Sequence, residues 1–341
     1  MHERLGIVVL GDINLDILGR VKSWPEPGDD CLAPSLELHC GGVGANCALA
    51  LQQWGVEARL VGCVGEDYFG DYALDGLRKG GLDVSWIQRT GRAATGLIYI
   101  NITPEGQRTF FGSRGANGQV QALRDARKIC SGATAAHLMG YNFLDSGPER
   151  AAKQLMKQIR ARGGWISLDA GMAASKGIPR KLLQMSGSVD ILFLSEDEAA
   201  ALTGNRNARK AMALLQQAGA REIVLKYGKR GCLIGKGGEL QAVPPFSVHT
   251  VDSTGAGDAF AAAFLQARLR GWTNDEAAVA ANAAGAAAAA IVGAGEQLPG
   301  MRDIAARLRS QRLPGSWDLV RKSVLRKMQF RSTNRNLRRE K

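Results

Sequence analysis

The sequence contains no stretch that would anchor it in a membrane or direct it out of the cell. No run among its 341 residues reaches eighteen strongly apolar positions, and the nearest, Ala277 to Ile291, is mostly alanine. A segment of that length is too short to span a bilayer. The N-terminus also lacks the basic start and long apolar segment of a secretory signal. We therefore expect a cytoplasmic protein.

Closely spaced cysteine pairs are absent as well. The six cysteines are scattered through the chain without a Cys-x-x-Cys pair, at positions 31, 40, 47, 63, 130 and 232. Structural zinc sites use such pairs, and disulfides are rare in reducing compartments. The spacing therefore predicts free thiols and no structural zinc.

Two familiar nucleotide-binding motifs are missing too. No Gly-Lys-Ser or Gly-Lys-Thr follows any predicted strand, which argues against a P-loop kinase. The segment Gly41 to Asn46 has the spacing Gly-Gly-x-Gly-x-Asn and does not directly follow the first predicted strand. It therefore does not fit a dinucleotide-binding motif. Its small residues would still let the start of a helix approach a ligand closely.

Positive charge is unevenly distributed along the chain. The formal net charge is +12, but residues 321–341 hold nine Lys or Arg and one Glu, a net charge of +8. The other 320 residues therefore carry only +4. A basic surface for nucleic acid would have to lie in the tail.

What the sequence does contain is an alternation of strand-like and helix-like segments. Leu5 to Leu10 is a short apolar run that predicts a buried first strand. From Gly118 onward the two kinds of segment alternate, at 120–129, 134–139, 149–162, 164–168, 179–185, 190–194, 196–203, 208–218 and 221–226. This alternation predicts an α/β fold with a mostly parallel sheet. The 45% hydrophobic content is enough for its core.

Acidic and amide side chains follow the first predicted strand. Asp12, Asn14 and Asp16 lie on one side of the chain if it stays extended there. In open α/β sheets, ligands bind beyond the carboxyl ends of the strands. These residues are therefore candidates for binding, with a solvated strand edge as the alternative.

A glycine-rich loop before an apolar run gives the clearest signal of chemistry. Gly255-Ala256-Gly257-Asp258 leads into the run from Ala259 to Leu269 and predicts a loop that opens a helix. The first N–H groups of a helix are suited to binding anions. Asp258 would lie in the first turn, as a helix cap or as a catalytic base. A second acid, Asp252, lies six residues upstream and favours the catalytic interpretation.

Two segments together resemble the signatures of the ribokinase-like (PfkB) carbohydrate kinases. Asp252 to Phe260 is similar to the C-terminal signature, and Gly41 to Asn46, followed by Gly65 to Gly70, is similar to the N-terminal one. The resemblance extends over about residues 5–312. It implies a three-layer α/β/α sandwich with a mostly parallel central sheet and a small β-sheet lid.

The resemblance divides the chain into a kinase domain, 1–312, and a basic C-terminal extension, 313–341. The lid would come from about 12–40 and 95–114. Within these regions, residues 31–39, 95–101 and 107–113 have strand-like patterns, the last two joined at Pro104-Glu105-Gly106. The resemblance also implies a homodimer that forms through the lid.

By the same resemblance, the site residues fall into four groups. Asp258 would act as the general base, and Gly255, Ala256 and Gly257 would form the anion hole. The sugar would bind Asn14, Asp16, Gly41, Gly42, Asn46 and Arg114, while ATP would lie against Lys226, Gly228, Gly231 and Asn282. Gly228 and Gly231 would suit a plain hairpin turn equally well.

The metal-binding groups are also implied by the resemblance. Glu198 would organise Mg²⁺ indirectly, although Ser195 stands where the family's Asn-x-x-Glu motif has its Asn. A first-turn acid favoured by the helix dipole is the alternative for Glu198. Asp252 and Thr254 resemble a monovalent-cation site, for K⁺.

The implied reaction is transfer of the γ-phosphoryl group of ATP to a hydroxyl of a small carbohydrate. Asn14, Asp16 and Asn46 favour neutral ligands such as ribose or fructose, or a nucleoside. Arg114 lies in a segment similar to 2-keto-3-deoxygluconate kinases and favours a sugar acid, whereas Gly115-Ala116-Asn117 is more similar to ribokinase. A catalytically silent binding or regulatory member of the fold is the non-enzyme alternative.

The basic extension also contains a helical pattern. Trp317, Val320, Val324 and Met328 form an apolar stripe flanked by lysines and arginines. Such a helix would lie on an anionic membrane, pack on a partner or pack on the body, and the tail beyond Phe330 would attract polyanions. Every predicted site residue precedes residue 300, so we expect the tail to be dispensable for catalysis.

Overall fold

The strands of this protein form two sheets of different size. The computed structural model describes the backbone of residues 6–103 and 108–336 and the side chains of residues 6–103 and 109–329. The strands are β1 Gly6–Leu10, β2 Asn14–Arg20, β3 Leu36–Gly41, β4 Glu57–Gly65, β5 Ile87–Thr90, β6 Gly96–Ile102, β7 Arg108–Ser113, β8 Ala133–Met139, β9 Trp165–Asp169, β10 Ile191–Ser195, β11 Glu222–Lys226, β12 Cys232–Lys236 and β13 Glu239–Val243.

Helices surround the larger sheet. They are α1 Val43–Gln53, α2 Tyr68–Lys79, α3 Ala126–Ile129, α4 Ser146–Arg160, α5 Met172–Gly177, α6 Pro179–Ser186, α7 Glu196–Thr203, α8 Ala208–Gln217, α9 Ala256–Leu269, α10 Asn274–Ala288, α11 Met301–Ser310 and α12 Trp317–Asn336. Short 3₁₀ turns lie at Gly115–Gln119, Gly140–Phe143, Gly228–Arg230 and Gly295–Gln297. No described helix combines the length and the apolarity needed to cross a membrane.

The central sheet has nine strands in the order β13-β12-β11-β10-β9-β8-β1-β4-β5. The pairs from β11 across to β5 are parallel, and β12 is antiparallel to both of its neighbours. In β1, Ile7 and Val9 join one buried cluster while Val8 and Leu10 join the other. Alternate side chains therefore enter cores on both faces, which explains why parallel strands appear as unbroken apolar runs. The predicted three-layer α/β/α fold is confirmed.

The smaller sheet has four strands in the order β3-β2-β6-β7. Apart from Gly41, the last residue of β3, its four strands lie within the two regions where the sequence predicts a lid. At its base, Asn14 of β2 pairs with Gly41 of β3 and with Gly96 of β6, so the sheet starts beside the carboxyl end of β1. The connection predicted at Pro104-Glu105-Gly106 lies outside the described residues.

Two local predictions are wrong. The segment 120–129, predicted as one regular element, is neither a single helix nor a strand, because side chains bind its backbone donors: Gln121 N donates to Gln88 Oε1 and Leu123 N donates to Gln154 Oε1. The helix begins only at Ala126, after the capping residue Asp125. The exposed strand predicted at 31–39 begins at Leu36, after an irregular stretch.

The last helix, α12, packs against the body of the protein. Val324 is fully buried, and Trp317, Val320 and Met328 pack against the larger core. The polar side of the contact centres on Glu276 of α10, which accepts hydrogen bonds from Ser323 Oγ and Lys327 Nζ. The apolar stripe therefore packs on the body, which is one of the three predicted placements. The predicted attraction of the tail beyond Phe330 to polyanions concerns side chains outside the described ones.

Candidate active site

The glycine loop opens α9 as the sequence predicts. Gly255 is the residue before the helix and has φ +70°, a conformation that a side chain strongly disfavours. A Cβ there would also come within 2.8 Å of Ala294. Ala256, Gly257 and Asp258 form the first turn, where helix N–H groups have no intrahelical acceptor. The loop therefore presents backbone donors and the positive end of the helix dipole.

Asn46 holds Asp258 from the other half of the chain. Its Nδ2 donates to Asp258 Oδ2 at 2.7 Å, while its Oδ1 accepts from Gly295 N at 2.9 Å. Burial raises the pKa of Asp258 to about 6, although the hydrogen bond from Asn46 opposes the rise. Both ends of the Asn46 amide are thus engaged with protein. The residue predicted to bind a sugar hydroxyl orients the predicted base.

Asp16 is a buried carboxylate that faces the same region. Its side chain belongs to the base of the lid, and its Oδ1 has no hydrogen-bond partner among the described residues. A Cβ on Gly41 would lie 2.0 Å from Asp16 Oδ2, so only glycine leaves room for this carboxylate. Burial and the charge of Asp258 raise the pKa of Asp16 to about 7. A buried acceptor without a partner is where a ligand hydroxyl would bind.

Asn117 is a residue of this region to which sequence reasoning gave no role. Its Nδ2 donates to Asn14 Oδ1 at 2.8 Å, and its Oδ1 accepts from Ile13 N at 2.8 Å. It therefore fixes the predicted sugar-binding residue Asn14. The only signal for it in the sequence was the similarity of Gly115-Ala116-Asn117 to ribokinase.

Arg114 is already paired with two carboxylates. Its Nε and Nη2 donate to Asp12 Oδ2 and Oδ1 at 3.0 and 2.9 Å, and its Nη1 donates to Asp145. Asp12 follows β1, Arg114 follows β7 and Asp145 precedes α4. The cluster therefore fastens the end of a lid strand to the body. The two parallel donors of the guanidinium group, Nε and Nη2, are both engaged by Asp12.

Gly42 supports the start of α1. It has φ +97°, and a Cβ there would lie 2.4 Å from the Asp12 carbonyl oxygen. The chain after β3 therefore runs directly over the end of β1. This close approach explains the predicted need for small residues at this point.

A cavity of about 490 Å³ lies beside the glycine loop. All four predicted nucleotide-binding residues line it: Lys226, Gly228, Gly231 and Asn282. The hairpin between β11 and β12 forms one wall, with φ +56° at Gly228 and φ +85° at Gly231, so the turn itself also requires both glycines. The volume lies within the usual range for small-molecule sites, roughly 300–1,000 Å³.

The cavity walls include apolar residues that the sequence did not reveal. Phe246, Val248 and Phe260 line it and offer apolar surface to a flat base. Asn282 Nδ2 donates to the Pro244 carbonyl oxygen at 3.0 Å. Its amide group therefore holds the cavity wall as well as facing the cavity. No motif predicted Phe246 or Val248, because they lie in an irregular segment after β13.

Charged residues meet at the carboxyl ends of three neighbouring strands. Lys226 Nζ, at the end of β11, donates to Asp169 Oδ2, at the end of β9, at 2.7 Å. Burial lowers the pKa of Lys226, but the charges of Asp169 and Glu198 outweigh this and leave it above its ordinary value. Ser195, at the end of β10, caps α7 through Glu198 N, and Glu198 Oε2 accepts from Ser195 N at 2.7 Å. Glu198 is thus the partner of the capping residue Ser195 in the first turn of α7.

Asp252 binds the loop to the exit of α10. Its Oδ1 accepts from the backbone N and the hydroxyl of Thr254, and its Oδ2 accepts from Gly293 N at 2.9 Å. Among the described residues, no group of three or more His, Cys, Asp or Glu side chains is arranged to hold a metal ion. All six cysteines are free, as predicted.

Comparison with known proteins agrees with this geometry. Residues 4–301 match the family description "pfkB family carbohydrate kinase". The chain belongs to this family. The pfkB kinase is 26% identical to a ribokinase of Haemophilus influenzae over 302 residues, which cover 87% of this chain and 96% of that one.

Two further relatives extend the comparison. The pfkB kinase is 31% identical to a 2-dehydro-3-deoxygluconokinase of Escherichia coli over 234 residues, 64% of this chain and 76% of that one. Its structure is similar to that of a putative ribokinase II from E. coli in complex with ATP and Mg²⁺, with a TM-score of 0.78 and 26% identity. That similarity covers 90% of this chain and 100% of the other.

Proposed function

We propose that this kinase transfers the γ-phosphoryl group of ATP to a hydroxyl of a small neutral sugar, with Asp258 as the general base. One observation carries the proposal. The buried carboxylate of Asp16, with an oxygen that no described residue binds, shares a site with Asp258 directly beside the anion-binding start of α9. A sugar held by Asp16 would present a hydroxyl to Asp258 next to the phosphates of ATP in the cavity.

To catalyse this reaction, the protein has to position the two substrates and to stabilise the charge that develops on the transferred group. Asp258 accepts the proton of the attacking hydroxyl, and its pKa of about 6 leaves it mostly ionised at neutral pH. Asn46 orients the carboxylate, and the N–H groups at the start of α9 stabilise charge on the transferred group. Mg²⁺, when bound with ATP, would neutralise phosphate charge, with Glu198 as the predicted indirect contact.

The charges around the sugar site favour a neutral substrate over a sugar acid. Arg114 already pairs with Asp12 through both of its forked donors and with Asp145 as well. Asp258, mostly ionised at neutral pH, adds negative charge to the same region, and Asp16, with a pKa of about 7, adds a second carboxyl group that is partly ionised. A carboxylate on the substrate would have to displace a protein carboxylate from Arg114 and approach further negative charge. A sugar acid and a nucleoside remain the alternative substrates.

A substrate panel tests the proposal. ADP release would be measured with ribose, fructose, 2-keto-3-deoxygluconate and nucleosides at matched concentrations. We expect the highest kcat/KM with a neutral sugar. Turnover of the sugar acid alone would refute the assignment of a neutral substrate. Binding of ATP and a sugar without turnover would support the catalytically silent alternative.

The lid also supports the proposed homodimer. Register places Leu38, Ile17, Tyr99 and Phe111 in one row across the four strands of the small sheet. Leu38 is 36% and Phe111 60% exposed, so the row ends in apolar surface that a second copy would cover. Phe111→Glu should shift sedimentation towards the monomer, whereas Leu214→Glu, on the exposed face of α8, should not. An unchanged assembly in both would place any dimer elsewhere.

A K⁺ site beside the glycine loop completes the proposal. Asp252 is 2% exposed and fastens the loop to the segment after α10, so a cation held there would stiffen the anion hole. Replacing Na⁺ by K⁺ should raise kcat in the wild type. The same exchange should have no effect on Asp252→Asn. Equal activity of the wild type in both salts would remove this part of the proposal.

A further inference from the structure

Lys226 lies where the nucleotide cavity meets the proposed base. Its side chain lines the cavity and is 17% exposed, and a methyl group built on Gly257 would lie 3.6 Å from its Nζ. Lys226 and Asp258 also interact electrostatically. A phosphoryl group that moves from the cavity to a hydroxyl at Asp258 therefore passes this ammonium group.

The ammonium group is fixed before any ligand binds. Its partner Asp169 ends β9 and Lys226 ends β11, with β10 between them in the same parallel sheet. An ammonium group has three N–H donors, and Asp169 is its only hydrogen-bond acceptor among the described residues. Two donors remain for a ligand in the cavity. Donors fixed in advance stabilise developing charge without a cost of reorganisation.

The surrounding charges explain why a cation is needed at this position. The carboxylates of Asp169, Glu198 and Asp258 all act on Lys226. Without a cation among them, these groups would repel the phosphates of ATP. Lys229 also lines the cavity, but it is exposed to solvent, so its charge is screened more strongly than that of Lys226.

We propose that Lys226 is a catalytic residue that donates hydrogen bonds to the peripheral oxygens of the γ-phosphoryl group, with Asp169 as its positioning residue. The inference rests on the proposed function. The substrate oxygen forms a bond to the γ-phosphorus, and the bond from that phosphorus to the bridging oxygen breaks. The electron pair of the broken bond stays on ADP, and the hydroxyl proton moves to Asp258. Lys226 keeps its proton and stabilises the charge on the transferred group.

The decisive variant is Lys226→Met, which keeps the length of the side chain and removes its charge. We expect kcat to fall by about 10²–10³-fold, the usual loss for one preorganised donor. Calorimetry should show weaker binding of ATP and unchanged binding of ADP, because only ATP has a γ-phosphoryl group. Lys210→Met, on the exposed surface of α8, is the matched control and should behave as the wild type.

A purely structural role for Lys226 is tested by a second variant. Lys226→Met leaves Asp169 without its partner, which could weaken the fold. The double variant Asp169→Asn with Lys226→Met removes both charges and should restore the melting temperature. We expect its kcat to remain low and its preference for ATP over ADP to remain lost. Recovery of turnover in the double variant would overturn the proposal.

The outcomes separate this inference from the proposed function. If the wild type bound ATP but phosphorylated no sugar, the proposed function would fail, while the comparison of ATP with ADP would still test Lys226. If the wild type phosphorylated a sugar and Lys226→Met retained both its kcat and its preference for ATP, only the inference about Lys226 would fail.

Discussion

This kinase has two glycine segments, Gly41 to Asn46 and Gly255 to Asp258, and each leads into a helix after a glycine with positive φ. The two segments need glycine for different reasons. At Gly41 and Gly42 a Cβ would lie 2.0 Å from the Asp16 carboxylate and 2.4 Å from the Asp12 carbonyl oxygen. At Gly257 the nearest atom would be Lys226 Nζ, at the ordinary contact distance of 3.6 Å. Protein atoms fill the space beside Gly41 and Gly42 and also beside Gly255, whereas Gly257 leaves open space at the start of the helix. The fold therefore requires glycine at Gly42, whereas at Gly257 we propose that the need comes from a ligand.

The largest expected effect concerns Asp258, the proposed base next to Gly257. Asp258→Asn should leave the fold intact and lower kcat by about 10²–10⁴-fold, the usual contribution of a general base. Steady-state kinetics together with calorimetric ATP binding would check this. Near-normal turnover in a folded variant would remove Asp258 from the role of base.

A smaller effect is expected at Asp16, whose carboxyl group lies beside Gly41: its removal should lower the affinity for the sugar. Asp16→Ala removes the carboxylate that has an oxygen left for a ligand, and the lost charged hydrogen bond should cost about 1.5–3 kcal/mol of sugar binding. ATP affinity should stay nearly unchanged. Calorimetry that showed weaker ATP binding and unchanged sugar binding would contradict the assignment of this half to the sugar.

Acidic pH should weaken catalysis through the same base. The pKa of Asp258 is raised to about 6, so its ionised form is lost as the pH falls through that value. Below about pH 6, kcat/KM should fall by about tenfold per pH unit. The raised pKa also means that ionised Asp258 destabilises the folded state. Its contribution to stability is therefore most favourable below about pH 4 and decreases as the pH rises to about 6. A rate profile that stays flat down to pH 5 would contradict this assignment.

A pair of alanine substitutions tests the comparison directly. Gly42→Ala should destabilise the protein by about 1–3 kcal/mol, because its φ of +97° is strained for a side chain. Gly257→Ala should leave the melting temperature nearly unchanged and still weaken ATP binding. Equal destabilisation by both would show that the two segments do not differ in this way.

The smallest expected effect on catalysis is that of the tail. Truncation after Leu313 should leave kinetic constants within a few-fold at low temperature, since every predicted site residue precedes residue 300. It should lower the melting temperature, because it exposes the surface that Val324 and its neighbours cover on α10. A folded, truncated protein without kinase activity would place the functional boundary beyond residue 312.

The sequence was sufficient for the family and for the fold, while the roles of the site residues stay predictions. The apolar runs of parallel strands and the two glycine motifs are local features, and they led to β1, to the lid regions and to Asp258. Contacts between residues that lie far apart in the sequence could not be predicted from it. The sequence around Arg114 does not indicate that Asp12 and Asp145 form ion pairs with it. The sequence around Asn46 does not indicate that its amide group binds Asp258. Such pairings depend on the three-dimensional path of the chain.

The contact of Asn46 with Asp258 bears on the stage of chain synthesis at which the kinase becomes able to catalyse its reaction. It joins residues 212 positions apart, and the backbone group that holds the other end of the same amide, Gly295 N, lies 249 positions from Asn46. During synthesis, a chain that has emerged only as far as α9 already carries the glycine loop and the proposed base. It lacks the segment that anchors Asn46. If Asp258 is the base, we therefore expect phosphoryl transfer to begin only when nearly the whole kinase domain has been made, and we expect an unfinished chain not to consume ATP.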